Sequence, residues 1–223
     1  MARFGRAFPM AVINPNTRVV YDSTGAGVTS TGLSGSSFSF THTISGNAVI
    51  LGLSVFWPDA STNAPSLVKV GTTTMSLLGT QQTTSSGFWD NLYIYGLLNP
   101  PTGLQTVSFT LPTRNTVSAN SVSYCGVAKF GTFVAATGTG TAISQTVNGL
   151  SGRNRVVNVL APFDTNQAIT AYSQTQRYNP TGTVGQNTRI LIGDAVGASS
   201  VLFSATIPSS SIWTSIAVPL ISC

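Results

Sequence analysis

The chain has 223 residues and only fifteen formal charges, ten Lys or Arg plus five Asp, with no Glu. Charged residues make up 7% of it, against about 25% in an average soluble domain. A disordered chain would be highly charged and poor in apolar residues, whereas this one is 42% hydrophobic with three Trp, eleven Phe and six Tyr, and a helical bundle would need the Glu and Lys that are nearly absent. What is left, with 59 Ser and Thr and 22 Gly, is β-protein composition.

The first twenty residues, MARFGRAFPMAVINPNTRVV, read as an extended arm, because Pro9 and Pro15 forbid a regular helix. Their basic start is followed by too short an apolar part for a signal peptide, and no small-residue cleavage pattern follows. From there period two takes over. In FSFTHTI, Phe38, Phe40, His42 and Ile44 point one way and Ser39, Thr41 and Thr43 the other. A turn at Ser45-Gly46-Asn47 leads into AVILGLSVFW at 48–57, whose unbroken apolar character suits a central strand covered on both faces. At ten residues it is about half the length of a membrane helix, so no membrane insertion is expected.

SLVKV-GTT-TMSLL predicts a hairpin with Gly71 at its turn. FWDNLYIYGLL places Trp89, Asn91, Tyr93 and Tyr95 on one face and Leu92 and Ile94 on the other. NPPTG at 99–103 is a turn, and LQTVSFTL sends Val107, Phe109 and Leu111 inward. Further strands are expected in SANSVSYCGVAKF, TGTAISQTV, RVVNVLA, AITAYSQTQRY, RILIGDAV, SVLFSATI and IWTSIAVPLI. Turn signals separate them at the spacing of an antiparallel sandwich. With no dividing linker, the expected organisation is an arm over 1–20 and one β-sandwich domain over 21–223.

The chemistry-bearing residues are sparse. His42 is the one histidine and alternates with core positions, so it reads as a sheet-facing side chain bonded to a neighbour. The nucleophile-elbow spacing G-x-S-x-G is broken in both GLSGS at 32–36 and GLSG at 149–152. Asp22, Asp59, Asp90, Asp164 and Asp194 are far apart in sequence, which shows no acid–base pair. A calcium site around Asp59 and Asn63 lacks the close acidic spacing such sites use. The short glycine turns at 25–27 and 138–141 precede no helix, so neither cradles phosphate. Zinc and redox spacings are missing from two distant cysteines, with Cys125 expected as a small buried apolar group and Cys223 as a free, mobile thiol. No catalytic residue, cofactor or metal is therefore expected. The net charge of +5 comes from dispersed cations, only Arg153 and Arg155 being close together in sequence, so no nucleic-acid face is expected. Trp57 and Trp89, with Tyr93 and Tyr95, offer a platform for stacking a sugar; filling a core or an interface is the alternative use of the same rings.

Several of these segments together resemble a family of β-sandwich modules from tailed phages of actinobacteria, the minor tail proteins. The residues that carry the resemblance are FTHTISGNAVILGLSV, VKVGTTTMSLL, YIYGLLNPPTGLQTVSFTL, SVSYCGV and the closing IWTSIAVPL, together spanning about 38–221. The resemblance implies a jelly-roll-like antiparallel sandwich, no enzymatic activity, and a place on the virion, either as a minor tail protein or as a capsid decoration. It implies other virion proteins as partners, the tail or the major capsid protein, and a homo-oligomer, by analogy a trimer, made in the host cytoplasm. Residues Arg3, Phe4, Arg6 and Phe8 of the arm are suited to ordering on a partner, since they bring apolar surface and charge together. The rival reading is an adhesin module that contacts a host-surface glycan through Trp57 and Trp89.

Overall fold

The computed structural model describes residues 17–30, 36–57, 64–85, 88–112, 116–163, 168–180 and 188–223, with the side chains of Trp57 and Phe88 outside the description. All regular structure among these residues is β-strand, and every strand pairing is antiparallel. The antiparallel sandwich expected from composition is present, and it has three sheets rather than two.

The central sheet runs β1 (Val20–Thr24), β10 (Thr116–Cys125), β4 (Ala48–Trp57), β8 (Phe88–Leu98) and β7 (Ser76–Ser85), with the short β2 (Val28–Thr29) also on β10. One face is covered by a sheet of β3 (Ser37–Ile44), β9 (Gly103–Thr110), β5 (Ser66–Val70) and β6 (Thr73–Thr74), called here the upper sheet. The other face is covered by the lower sheet. There β16 (Ser200–Ser222) pairs on one side with β11 (Val127–Phe130) and β12 (Val134–Asn148), and on the other with β13 (Arg155–Pro162). The sheet continues through β15 (Leu191–Val196) to β14 (Thr175–Tyr178).

The unbroken apolar run of β4 follows from this stacking. Val49, Leu51, Leu53 and Val55 pack toward the upper sheet against Phe38, Phe40, Val107 and Phe109. Ala48 and Ile50 pack toward the lower sheet against Val157, Val159, Ile192 and Ile216. On β8 the same alternation puts Tyr93 and Tyr95 in the upper core and Leu92 and Ile94 in the lower. Gly52 faces the lower sheet at close range: a Cβ there would lie 2.8 Å from Val159 and 3.2 Å from Ile192.

Three sequence expectations change. The hairpin at Gly71 is real but short: β5 and β6 pair only through Lys69↔Thr74 and Val70↔Thr73, and the SLL that follows crosses to the central sheet as part of β7. SANSVSYCGVAKF is two strands, because Gly126 at φ +76 turns the chain from the central to the lower sheet. SVLFSATI and IWTSIAVPLI, by contrast, are one strand. Pro208 does not break it, because the ladder to β12 skips between the pairs Gly140↔Ser211 and Ala142↔Thr206, and a bulge tolerates a residue without an N–H.

That skip also lets the ribbon of β12 and β16 fold back over the lower sheet. Val147, Val201 and Phe203 pack on Val156, Ala195 and Ala217, while Ile143, Ala205 and Ile207 pack on Leu160, Leu191 and Trp213. Beneath the ribbon lies a buried polar knot. The Asn158 amide donates to Gln145 Oε1 (2.9 Å) and to Ser215 Oγ (2.8 Å), Ser215 donates to Gln145 (2.6 Å), and the Tyr172 hydroxyl donates to Asn158 Oδ1 (3.2 Å). A satisfied network of this kind fixes the ribbon's register, since a slip by one residue would leave every member unpaired.

Candidate functional site

The alternation that buries Phe38, Phe40 and Ile44 of β3 also carries His42 inward, where it is 1% exposed. Opposite it, the upper-core face of β10 changes from apolar (Val117, Ala119) to hydroxyl (Ser121, Ser123). Ser121 Oγ is 2.7 Å from His42 Nδ1, and Ser23 Oγ of β1 and Ser123 Oγ lie 3.0 and 3.2 Å from Nε2. The Ser123 hydroxyl donates to Asp22 at 2.7 Å and the Ser23 hydroxyl to the Thr43 carbonyl at 2.5 Å. Both serines thus face Nε2 as acceptors, which assigns the ring proton to Nε2 and leaves Nδ1 to accept from Ser121. Asp22 also receives the N–H groups of Ser45 and Gly46, each at 2.8 Å, so it caps the β3–β4 turn.

The electrostatics agree with a neutral imidazole. Burial pulls His42 below its ordinary 6.5, and the nearby Asp22 carboxylate and the Ser23 main chain oppose this without offsetting it. For Asp22, burial pushes upward, but the Ser123 hydroxyl, the two turn N–H groups and His42 outweigh it and hold the carboxyl below 3.8. In a hydrolytic triad the carboxylate orients the histidine and the histidine activates an accessible serine. Here the carboxylate binds a serine, the imidazole proton is held by hydroxyls, and Ser121 is itself fully buried. What the arrangement does is fasten β1 to the upper sheet, the central sheet and the β3–β4 turn at once.

A second cluster joins the central and lower sheets. Asp194 of β15 is fully buried and accepts from Arg155 of β13, from Arg177 Nε of β14 at 2.7 Å and from the Tyr124 hydroxyl of β10 at 2.8 Å. The Arg177 guanidinium also lies 3.8 Å from the ring centroid of Tyr21 on β1, a cation–π contact. Burial pulls the Arg177 guanidinium down, yet the hydrogen bond and charge of Asp194 more than compensate, so it stays above its ordinary value. Burial, with Asp194 adding to it, pushes the Tyr124 phenol far above 10.0.

The residues singled out from sequence fall as follows. Arg3, Phe4, Arg6 and Phe8 lie outside the described residues, as do Asp59, Asn63 and Asp164. The main chain of Trp57 pairs in register with Trp89. Trp89 is partly buried against the upper core, and Tyr93 and Tyr95 are 3% and 4% exposed within it, so those two tyrosines present no free face for stacking. Cys125 is a correction: it is exposed rather than buried, because it ends β10 just before the Gly126 turn. Cys223 is half-buried, and its N–H donates to the Gly126 carbonyl at 3.2 Å, beside Cys125. Nothing in the sequence signals that Asp22 meets His42, or that Arg155 and Arg177 share Asp194. The one available signal was Ser121-x-Ser123, a hydroxyl pair at strand spacing on the face that also carries Val117 and Ala119.

Among the described residues no group of three or more His, Cys, Asp or Glu is placed to hold a metal ion. A hollow on the outer face lies over β3, β9 and β5, between Ser39, Leu67, Lys69, Ser108 and Thr110. Leu67 stands there 63% exposed at φ 51, where the β5–β9 ladder shifts register. No protein-family model matches the chain, and no curated protein matches it.

Proposed function

We propose that the chain is a non-enzymatic structural protein of a phage virion, a minor tail protein or a capsid decoration, docked on the particle through residues 1–20. The observation that carries this reading is the near absence of charge on the outer strands. The β12–β16 ribbon, 134–148 with 200–222, holds no charged residue, and the strands β3 and β9 of the upper sheet hold none either, His42 being neutral and turned into the core. Their outward rows are Ser37, Ser39, Thr41 and Thr43 beside Thr106, Ser108 and Thr110. Surfaces of this kind can be buried against another protein without desolvating a charge.

The arm enters the sandwich at an anchored point. Val19 is 4% exposed and its N–H donates to the Arg153 carbonyl at 2.9 Å, and Val20 already pairs with Cys125. A partner holding residues 1–16 would therefore pull on the β1 clasp formed by Asp22, Ser23, His42 and Ser123. The glycan reading needs exposed stacking faces and has less to draw on, with Tyr93 and Tyr95 turned into the core.

The test is deletion of residues 1–18. The truncated chain is expected to fold, by circular dichroism and cooperative urea unfolding, and to be missing from purified particles of the parent phage by quantitative mass spectrometry. Incorporation at the full-length level would overturn the arm's role, and absence of the full-length chain from those particles would overturn the virion reading. Copy number in the same spectra separates tail from capsid.

A further inference from the structure

The hydrogen bonds around β16 show which way the main chain of β12 points. Thr206 exchanges both of its main-chain bonds with Thr170 at 2.8 Å, and the Ser204 carbonyl accepts from Ser173 at 2.9 Å. Residues 204 and 206 therefore turn their N–H and C=O away from β12. Because bonded and non-bonded pairs alternate along an antiparallel ladder, β12 is bonded to β16 through Ile143↔Ala205, Gln145↔Phe203 and Val147↔Val201. The N–H and C=O groups of Ala142, Ser144, Thr146 and Asn148 then point out of the sheet, and β12 has no second strand partner among the described residues.

Natural edges of this length are normally blunted by Lys, Pro, an inward charge or a covering loop. β12 has 15 residues, none of them charged and none Pro, and its one irregularity lies between Gly140 and Ala142, before this stretch begins. Side chains of Ala142, Ser144, Thr146 and Asn148 are exposed, and Ile143, Gln145 and Val147 are locked beneath the ribbon. The edge is held rigidly in strand conformation, so little ordering is needed to add a strand to it.

We infer that β12 is a self-association edge: a second copy of this chain adds its own β12 antiparallel across a two-fold axis at Gln145. In that register Ser144 stands opposite Thr146 of the second copy and Ala142 opposite Asn148. Each pairing is a bonded one, so every outward N–H and C=O finds a partner. Charge favours this occupant over others. The chain carries +5 overall, yet this edge is neutral, so two copies meet here without repulsion, and a charged partner would bury its charges against a strand that has none to match them. Hydroxyl side chains opposite one another across the join add their own hydrogen bonds.

The pairing needs only this chain, so its failure leaves the virion reading standing, and the reverse. Light scattering on the eluting full-length protein is expected to give about twice the 23.1 kDa chain mass. Ser144→Lys and Ser144→Pro should both give the monomer mass with circular dichroism unchanged, since the Ser144 N–H is in no internal ladder bond and Pro removes only an outward donor. Register is read on chains with Cys125 and Cys223 replaced by Ser. Mixed Ser144→Cys and Thr146→Cys chains should form a disulfide-linked dimer with oxidised glutathione, each new bond releasing two reduced glutathiones, while Ser144→Cys chains alone should not. A monomer at the highest soluble concentration, a three-fold mass, a dimer that both Ser144 variants leave intact, or a mixture that does not cross-link would each overturn the inference.

Discussion

Replacing Asp194 by Ala tests the central claim about how the layers are fastened. The carboxylate is fully buried, while the Arg155 and Arg177 side chains keep 16% and 19% of their exposure. Its removal strands two guanidiniums and the fully buried Tyr124 hydroxyl, which loses its acceptor. Removing one partner of a buried pair costs about 3–5 kcal/mol. Partial rehydration of the guanidiniums pulls toward the lower figure, and the orphaned phenol, at about 1–3 kcal/mol, pulls back. The net expectation is a loss of about 3–5 kcal/mol, which at an m-value of about 2 kcal/mol/M moves the urea midpoint down by about 1.5–2.5 M. Equilibrium unfolding followed by Trp fluorescence measures this. Adding Arg155→Met and Arg177→Met to the Ala variant should recover part of the loss, because the stranded charges are its main source. A loss below about 1 kcal/mol, or no recovery in the triple variant, would refute the reasoning.

Three further outcomes are expected. His42 titrates below 6.5 in the folded chain, so the unfolded chain takes up the proton first as the medium is acidified. Stability should therefore fall as pH drops below about 6.5 and level off once the folded-state value is passed, and His42→Gln should flatten that slope in urea titrations between pH 7 and 5. Asp22 adds a second decline, its stabilisation being present above 3.8 and lost as pH falls through its lower folded-state value. Gly52→Val should lose about 1–3 kcal/mol, because the new side chain meets Val159 and Ile192 of the lower sheet; a midpoint equal to that of the parent would mean that the sheets separate more easily than their packing implies.

How much of this could be read from the chain depended on how strongly each element was patterned. β3, β4, β8 and β9 alternate or run apolar over eight to eleven residues, because each is buried on at least one whole face, and their inward residues were legible one by one. β1 and β2 escaped notice: VYDST and VT are short, half-exposed edge strands with polar residues on both faces. AITAYSQTQRY read as a strand but pairs regularly only over Thr175–Tyr178, with Thr170 held by an isolated bridge, since Ala171 at φ 50 interrupts it. The third sheet was legible only in part: the unbroken apolar run of β4 asks for cover on both faces, but it does not name the strands that supply it. The site clusters were hidden for a different reason. His42 and Ser121 are 79 residues apart and Arg155 and Asp194 are 39 apart, and only the strand order brings them together. Periodicity places a side chain on a face but does not name its neighbour.

The double coverage of β4 has a consequence for how the molecule comes apart. Val49 and Ile50 are adjacent in the chain, yet they belong to different cores, so neither core can open along β4 without exposing the other. The central sheet therefore couples the two interiors into one cooperative unit. Amide protons of β4 and its neighbours β10 and β8 should exchange with solvent only through global unfolding, while those of the upper-sheet edge at β6 and the outer edge of β12 exchange through local opening. A chain built this way keeps a rigid centre while its edges open locally.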